Sequence, residues 1–431
     1  STLFPYTTLF RSVLLATSLS LSSCGNITDS TKKTEESNEE SIQVANEEEN
    51  MQKENEMESE VNNPKPLEAT SINSASDNLF IQTLFAENDE NSNVLISPYS
   101  IIMDFGMLEN GAKGDTLNEF IKYLNGGLSV NELNDFMKTT KEQMMNSNLV
   151  SWNVANSIWI NENYASSLNE DVEKIVKDYY SSVINKRPYN NETLEEINKW
   201  VNDNTNEMIP SILDEINDTQ VMHLINAIAF EGDWAEKIQA ENIINDYDFT
   251  NLDGSISKVD MLPSIVNGYF SSDNFDGFTK AFTDENYAFF AIKPKNNLTP
   301  KELMNNLKEN GETISSIMND YSIDGVAAVK IPKFTFDYET SLNQILKNAG
   351  IKKAFSEDAD FSGLGVVDNL FISKTKHKAH FEISETGVKA AAATVITMKE
   401  NGILVEDPVT PYEITLDSPF IYGIYDKTKE K

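Results

Sequence analysis

The sequence predicts an α+β domain. Three observations carry this: capped segments with apolar residues at helical spacing, runs that alternate with a period of two, and the massing of strand-like runs towards the C-terminus. There is no internal repeat. The chain has 431 residues, 39% of them hydrophobic, with 22 Phe, 15 Tyr and 4 Trp. That is ample for a large packed core, so the chain as a whole is not a disordered one.

Taken in order, Ser97-Pro98 supplies a hydroxyl N-cap and a proline at the first helical position. Ile101, Ile102, Phe105 and Leu108 then make an apolar stripe that Gly111 ends. Val150, Trp152, Val154, Ile158 and Ile160 alternate as in a half-buried strand. Leu194, Ile197 and Val201 return to helical spacing, with Trp200 adjacent. Val221 to Phe230 is almost continuously apolar, which predicts a central strand covered on both faces. Thr340 is placed to cap a helix carrying Leu342, Ile345 and Leu346, and Gly350 to close it.

The first part of the chain is different. Cys24, the single cysteine, follows an apolar and small-residue run from Val13 to Ser23. The run is too short to span a bilayer but suits the apolar region of a signal peptide. Leu21-Ser22-Ser23-Cys24 resembles a bacterial lipobox, which implies lipidation of Cys24, a membrane anchor and an extracytoplasmic, cell-surface location. Without the anchor the protein is expected to be secreted. Ser1 to Arg11 holds one basic residue and reads as an incomplete or foreign start. From Asn26 to Asn63 there are twelve acidic residues against three lysines and no aromatics, a composition that stays solvated and extended. The expected organisation is a signal and lipobox segment over 1–24, an acidic disordered tether over 25–66, and a folded domain over 67–431.

Charge and motifs exclude several functions. The formal net charge is −35, of which residues 26–63 carry −9. Such a surface argues against nucleic acid and against polyanionic ligands. One cysteine excludes an intrachain disulfide and a Cys-pair metal site. No G-x-S-x-G, H-E-x-x-H or P-loop pattern is present. His223 lies in an apolar strand and reads as a core histidine. His377 and His380, three apart in a strand, point to opposite faces and cannot chelate one metal. The chain is therefore expected to be no enzyme and to need no metal or cofactor.

One stretch breaks ordinary rules. Gly387 and Val388 lead into Ala390, Ala391, Ala392 and Ala393, and then into the β-branched run from Thr394 to Thr397. Four alanines favour helix, yet strand-forming residues flank them on both sides. Glycine before them serves as a joint, and small side chains can slide into a narrow gap. The residues alone leave two readings open: a mobile loop able to become a strand, or an exposed helix and linker.

This stretch resembles the hinge and reactive-centre loop of a serpin, and motifs along the body agree in the family's order. These are Asn93 to Ser100, Gly111 to Thr116, Ile197 to Val201, Asn226 to Trp234, Ile331 to Phe334, Ala359 to Gly363, Ser373-Lys374, His377-Lys378 and Ser418-Pro419-Phe420. The resemblance implies a large central, mostly antiparallel sheet with further sheets, about eight to nine helices and an exposed loop. It also implies a suicide-substrate mechanism. A serine or cysteine protease outside the cell cuts the loop, and the cut loop inserts into the main sheet and traps the enzyme as a covalent complex. The inhibitor itself is expected to be monomeric. A non-inhibitory, serpin-fold surface binding protein is the alternative.

Carried over residue by residue, Glu385, Gly387, Val388, Ala390 to Ala393 and Thr394 form the hinge. Ser97, Ser100, Asn226 and His377 form the gate of the sheet. Lys333, Glu385 and Trp234 mark the point where insertion begins, the breach. Counting along the loop places the scissile bond at Asn401-Gly402. Thr386 and Lys389 stand where acidic residues are common in inhibitory members. The chain stops at Lys431, where the family continues into one more core strand, so that strand is expected to be missing.

Overall fold

The computed structural model describes residues 71–87, 92–320, 325–366, 370–372, 375–388 and 411–427. Cys24, the acidic segment, Ala390 to Thr394 and Asn401-Gly402 lie outside the described residues.

Nine α-helices occur among the described residues: α1 (Ile72–Ala86), α2 (Pro98–Glu109), α3 (Gly114–Tyr123), α4 (Val130–Asn146), α5 (Glu170–Tyr180), α6 (Asn191–Asn204), α7 (Pro300–Glu309), α8 (Ile314–Asp320) and α9 (Leu342–Ala349). The strands begin with β1 (Val150–Asn161), β2 (Ile184–Arg187), β3 (Met222–Asp233), β4 (Ile244–Thr250), β5 (Ile256–Val266), β6 (Tyr269–Ser271) and β7 (Phe275–Ala281). They continue with β8 (Tyr287–Pro294), β9 (Ala327–Pro332), β10 (Phe334–Thr340), β11 (Lys376–Ile383), β12 (Gly387–Val388), β13 (Tyr412–Thr415) and β14 (Ile421–Asp426).

The predicted α+β class holds, with one large sheet and two smaller ones. The main sheet runs β10-β11-β12-β3-β1-β2, and β11 also pairs directly with β3. Most of its pairings are antiparallel; β1 with β2 and β11 with β3 are parallel. The second sheet runs β13-β9-β5-β4 and the third β14-β8-β7-β6.

Local chemistry explains the elements that position the main sheet. Ser97 caps α2 by accepting the Ser100 amide at 3.3 Å, with Pro98 at the first position. Every residue of α2 from Ser100 to Glu109 is buried, so this helix lies inside the molecule under the sheet. The second half of β1 departs from the half-buried pattern. Ile158, Trp159 and Ile160 are each about 1% exposed. Ile158 and Ile160 join the cluster around α2, while Trp159 joins Ile197 and Val201 of α6 on the other face. Helices on both faces leave no solvent side, and the alternation loses its meaning there. A second correction concerns α9. Thr340 ends β10, and Ser341 is the N-cap, accepting the Asn343 amide at 3.4 Å. Gly350 closes that helix as expected, at φ 111°.

Candidate functional site: the seam between β3 and β11

The two central strands of the main sheet meet at one end and separate at the other. At the lower end they pair in parallel, from Ile225 opposite Lys376 to Ile228 opposite Ala379. At the upper end the chain itself lies between them. Gly387 and Val388 pair with Asp233 and Gly232 of β3, and Val388 also pairs with Ile383 of β11.

The lower end is closed by buried side chains. His377 sits opposite Asn226, and both are fully buried. The Ser97 amide donates to His377 Nε2 at 3.3 Å, so Nδ1 carries the hydrogen and donates to Asn226 Oδ1 at 2.6 Å. That fixes the Asn226 amide group. Its Nδ2 faces the Ser100 carbonyl at 2.8 Å, Ser100 Oγ at 2.6 Å and Asn156 Oδ1 at 3.3 Å. The four residues predicted for the gate are thus brought together. Burial pushes the His377 imidazole down to about 4, since the charged form has no water. Both ring nitrogens are committed, so His377 is not placed to act as a base on a substrate.

Two further members escaped the sequence reading. Asn156 lies opposite Asn226 in the β1–β3 ladder, and an amide within an apolar strand was the available signal. Asp104 of α2 is 2% exposed and lies one turn after Ser100, beside the Asn226 side chain. Burial raises its carboxyl well above the usual range. Helical periodicity assigned that stripe to the core and did not single out an acid within it.

The upper end is a wedge seated on an aromatic floor. A Cβ on Gly387 would lie 2.1 Å from the Gly232 carbonyl oxygen, so only glycine allows this approach to β3. The tight turn before it is held by the Ser384 amide, which donates to the Gly387 carbonyl at 2.9 Å. Trp234 is fully buried and stacks on Phe282 with centroids 4.9 Å apart and planes 8° from parallel. Its indole Nε1 donates to the Ser384 carbonyl at 2.9 Å, and its backbone amide to the Thr386 carbonyl at 2.9 Å. Lys333 Nζ donates to Glu385 Oε2 at 2.8 Å, and this bond holds the Glu385 carboxyl below its usual range. Lys333, Glu385 and Trp234 therefore adjoin one another beside Gly387. Lys280, which the sequence reading missed, places its ammonium 5.1 Å from the Trp234 ring centroid. It donates to Ser264 Oγ at 2.8 Å, and burial pushes it down to about 8.

Between the two ends, no ladder pairing joins 229–231 to 380–382 among the described residues. A cavity of 380 Å³ lies along this stretch, lined in part by Ala229, Phe230, Ala379, Phe381, Trp152 and Tyr422. On the opposite face a strap follows α6. Asn198 of α6 binds it through the Ile212 and Leu213 amides and the Leu213 carbonyl, and Lys378 of β11 donates to the Ser211 carbonyl at 3.0 Å. The remaining histidines behave as predicted. His223 is buried with Nδ1 3.1 Å from the Tyr189 hydroxyl, and His380, on the face opposite His377, meets Asp337 at 2.7 Å.

The central seam is paired below and held apart above by the chain's own glycine, which leaves room for a further strand between β3 and β11. Comparison with known proteins shows the family. The Serpin (serine protease inhibitor) family profile matches residues 70–431, and the chain belongs to the serpin family. It is 31% identical over 355 residues to an uncharacterized serpin-like protein of Methanosarcina acetivorans, covering 79% of each chain. It is 29% identical over 356 residues to Iripin-8 of Ixodes ricinus, covering 78% of this chain and 85% of that one. The native-state crystal structure of tengpin, a thermophilic serpin, superimposes with a TM-score of 0.74 at 32% identity, covering 84% of this chain and 90% of tengpin.

Proposed function

We propose that this serpin inhibits a serine or cysteine protease as a suicide substrate, through cleavage of the segment after Val388 and its insertion between β3 and β11. One observation carries the reading: Gly387 and Val388 already pair with both strands at the top of the seam. Each further residue added to that strand gains main-chain hydrogen bonds on both sides, a β-augmentation within one chain. Ser97, Ser100, Asn226 and His377 act as the gate that must part. The scissile bond is assigned to Asn401-Gly402. In this reading Cys24 carries a lipid that holds the protein outside the cell, and the partner is an extracellular protease.

The test mixes the full chain with a panel of serine and cysteine proteases and follows the products on denaturing gels. A complex stable to detergent, and a released peptide beginning at Gly402, are the expected products. If every protease cuts the chain without such a complex, and cutting leaves thermal stability unchanged, the protein is a non-inhibitory binding member of the family. Release of the protein from membranes by Cys24→Ser tests the anchor separately.

A further inference from the structure

Asp104 stands apart from the other groups at the lower junction. Its Oδ1 is buried with no hydrogen-bond partner, and it lies one helical turn after Ser100, whose carbonyl accepts from Asn226 Nδ2 at 2.8 Å. Asn226 is also the one residue that bridges the sheet to His377 across the seam. The carboxyl therefore sits beside the group on which the closed seam depends, without a cation to balance a charge.

Among the described residues, the titratable groups around α2 do not supply one. The junction's own titratable side chain is His377 from β11, which is neutral with both nitrogens engaged. From α5 comes Tyr180, whose hydroxyl donates to Asn134 Oδ1 at 2.6 Å. From α4 comes Lys141, which donates to the Tyr180 carbonyl at 2.6 Å, and from α1 comes Asp77, which accepts the Ser315 amide at 3.3 Å. Tyr99 and Glu109 lie on α2 itself, and Glu109 accepts from Asn125 at 2.6 Å. The strands β1 and β3 bring the amides Asn156 and Asn226. A carboxylate at Asp104 would sit in a dry site with one oxygen unsatisfied, an arrangement that costs several kcal/mol.

We propose that Asp104 is a positioning residue of the gate, and that loss of its proton to solvent loosens the β3–β11 pairing and speeds strand insertion at alkaline pH. The proposal rests on the insertion reading above. While protonated, Asp104 lets the junction close without burying a charge. When the strands part and water enters, the hydrated carboxyl ionises, and rising pH favours that parted state. A single group of this kind raises the opening equilibrium by at most tenfold per pH unit.

The experiment uses the full chain and a synthetic peptide with the sequence of residues 389–402. Peptide uptake, read as conversion to a form of higher thermal stability, is timed between pH 6 and 9. Wild type is expected to take up the peptide several-fold faster with each unit. Asp104→Asn is expected to give a flat profile, while Glu109→Gln, which removes the other buried acid of α2, keeps the slope. Should Asp104→Asn fail to fold, infrared difference spectra of the Asp77→Asn/Glu109→Gln double variant report the carboxylic acid carbonyl band of Asp104. Persistence of that band through the pH range in which uptake accelerates, with its loss only where the rate levels off, is the expected result. A flat wild-type profile, an unchanged slope in Asp104→Asn, or a band already lost while uptake still accelerates overturns the role of Asp104 and leaves insertion intact. No uptake at any pH overturns the insertion reading and this proposal with it.

Discussion

The two ends of the β3–β11 seam are built from opposite materials. The lower end is a dry knot of neutral groups, His377, Asn226, Ser100 and Asn156, in which nearly every donor has an acceptor. Parting it leaves buried polar atoms unpaired, at a cost of about 1–3 kcal/mol each. The upper end rests on a glycine contact, a two-residue strand and an ion pair that is about a third exposed. Its main-chain bonds are few, and its stability comes from the aromatic floor beneath. Opening is therefore easiest from the top, and the lower knot sets how far it runs.

The largest expected effect attacks the floor. Trp234→Ala removes a wholly buried ring that stacks on Phe282, packs edge-on to Phe289 at 5.8 Å and supplies a donor to Ser384. Substitutions of this kind cost about 3–5 kcal/mol. Urea unfolding should show a loss of that size, and a loss below about 1 kcal/mol would mean that strand pairing, not the floor, holds the wedge.

The next effect belongs to the knot. The folded imidazole of His377 is lowered from 6.5 to about 4, so the native state prefers it neutral. Its contribution is complete above pH 6.5 and is lost progressively as pH falls to about 4, amounting to about 3 kcal/mol. Glu109, raised to about 8 by burial, works in the other direction, costing stability as pH rises from the ordinary carboxylate range to that value. The two slopes overlap, so the His377 signal is best read directly. NMR of ring-labelled histidine, with only three signals, should show one that stays neutral to near pH 4. Three signals that all titrate near pH 6.5 would break the account of a dry knot.

Much of this was legible in the sequence, and the physical reasons for the rest are specific. Gly387 and the small residues after it stood out because their pattern contradicts local propensity. The hydroxyl and proline at Ser97-Pro98 announced α2 because capping is a local rule. Burial of both faces of β1 was not legible, since it depends on α6, which lies thirty residues away in sequence and packs on the sheet only in the fold. Asp104 and Glu109 were illegible for a related reason. An acid inside an apolar helix looks like a solvent-facing position until the helix is found buried on all sides. A hydroxyl fits the cap position at Thr340, but β10 runs through Thr340 and the cap falls one residue later, on Ser341.

The third effect tests whether the wedge requires glycine. Gly387→Val would drive its Cβ into the Gly232 carbonyl and push β12 away from β3. Overpacking of this kind costs about 1–3 kcal/mol. The consequence for function should exceed that figure, because in the proposed mechanism the same residue also passes between the strands when the loop inserts. Full cleavage with no covalent complex on denaturing gels is the expected outcome. Wild-type yields of complex would show that insertion starts beyond Gly387.

The smallest effect is the ion pair at the top. Glu385→Gln keeps the shape of the side chain and removes the charge that Lys333 meets at 2.8 Å. The pair is partly exposed, so its contribution is below about 1 kcal/mol and shrinks with added salt. The backbone carbonyl of Glu385 still accepts from Ile238 at 3.0 Å, and the Thr386 carbonyl from Trp234 at 2.9 Å. The turn is thus anchored through its main chain, which the substitution leaves untouched. The melting temperature should fall by no more than a few degrees at low salt and converge with wild type at high salt. A larger, salt-independent loss would show that the carboxylate organises the turn itself, and the upper end would then resemble the knot below it more than the geometry indicates.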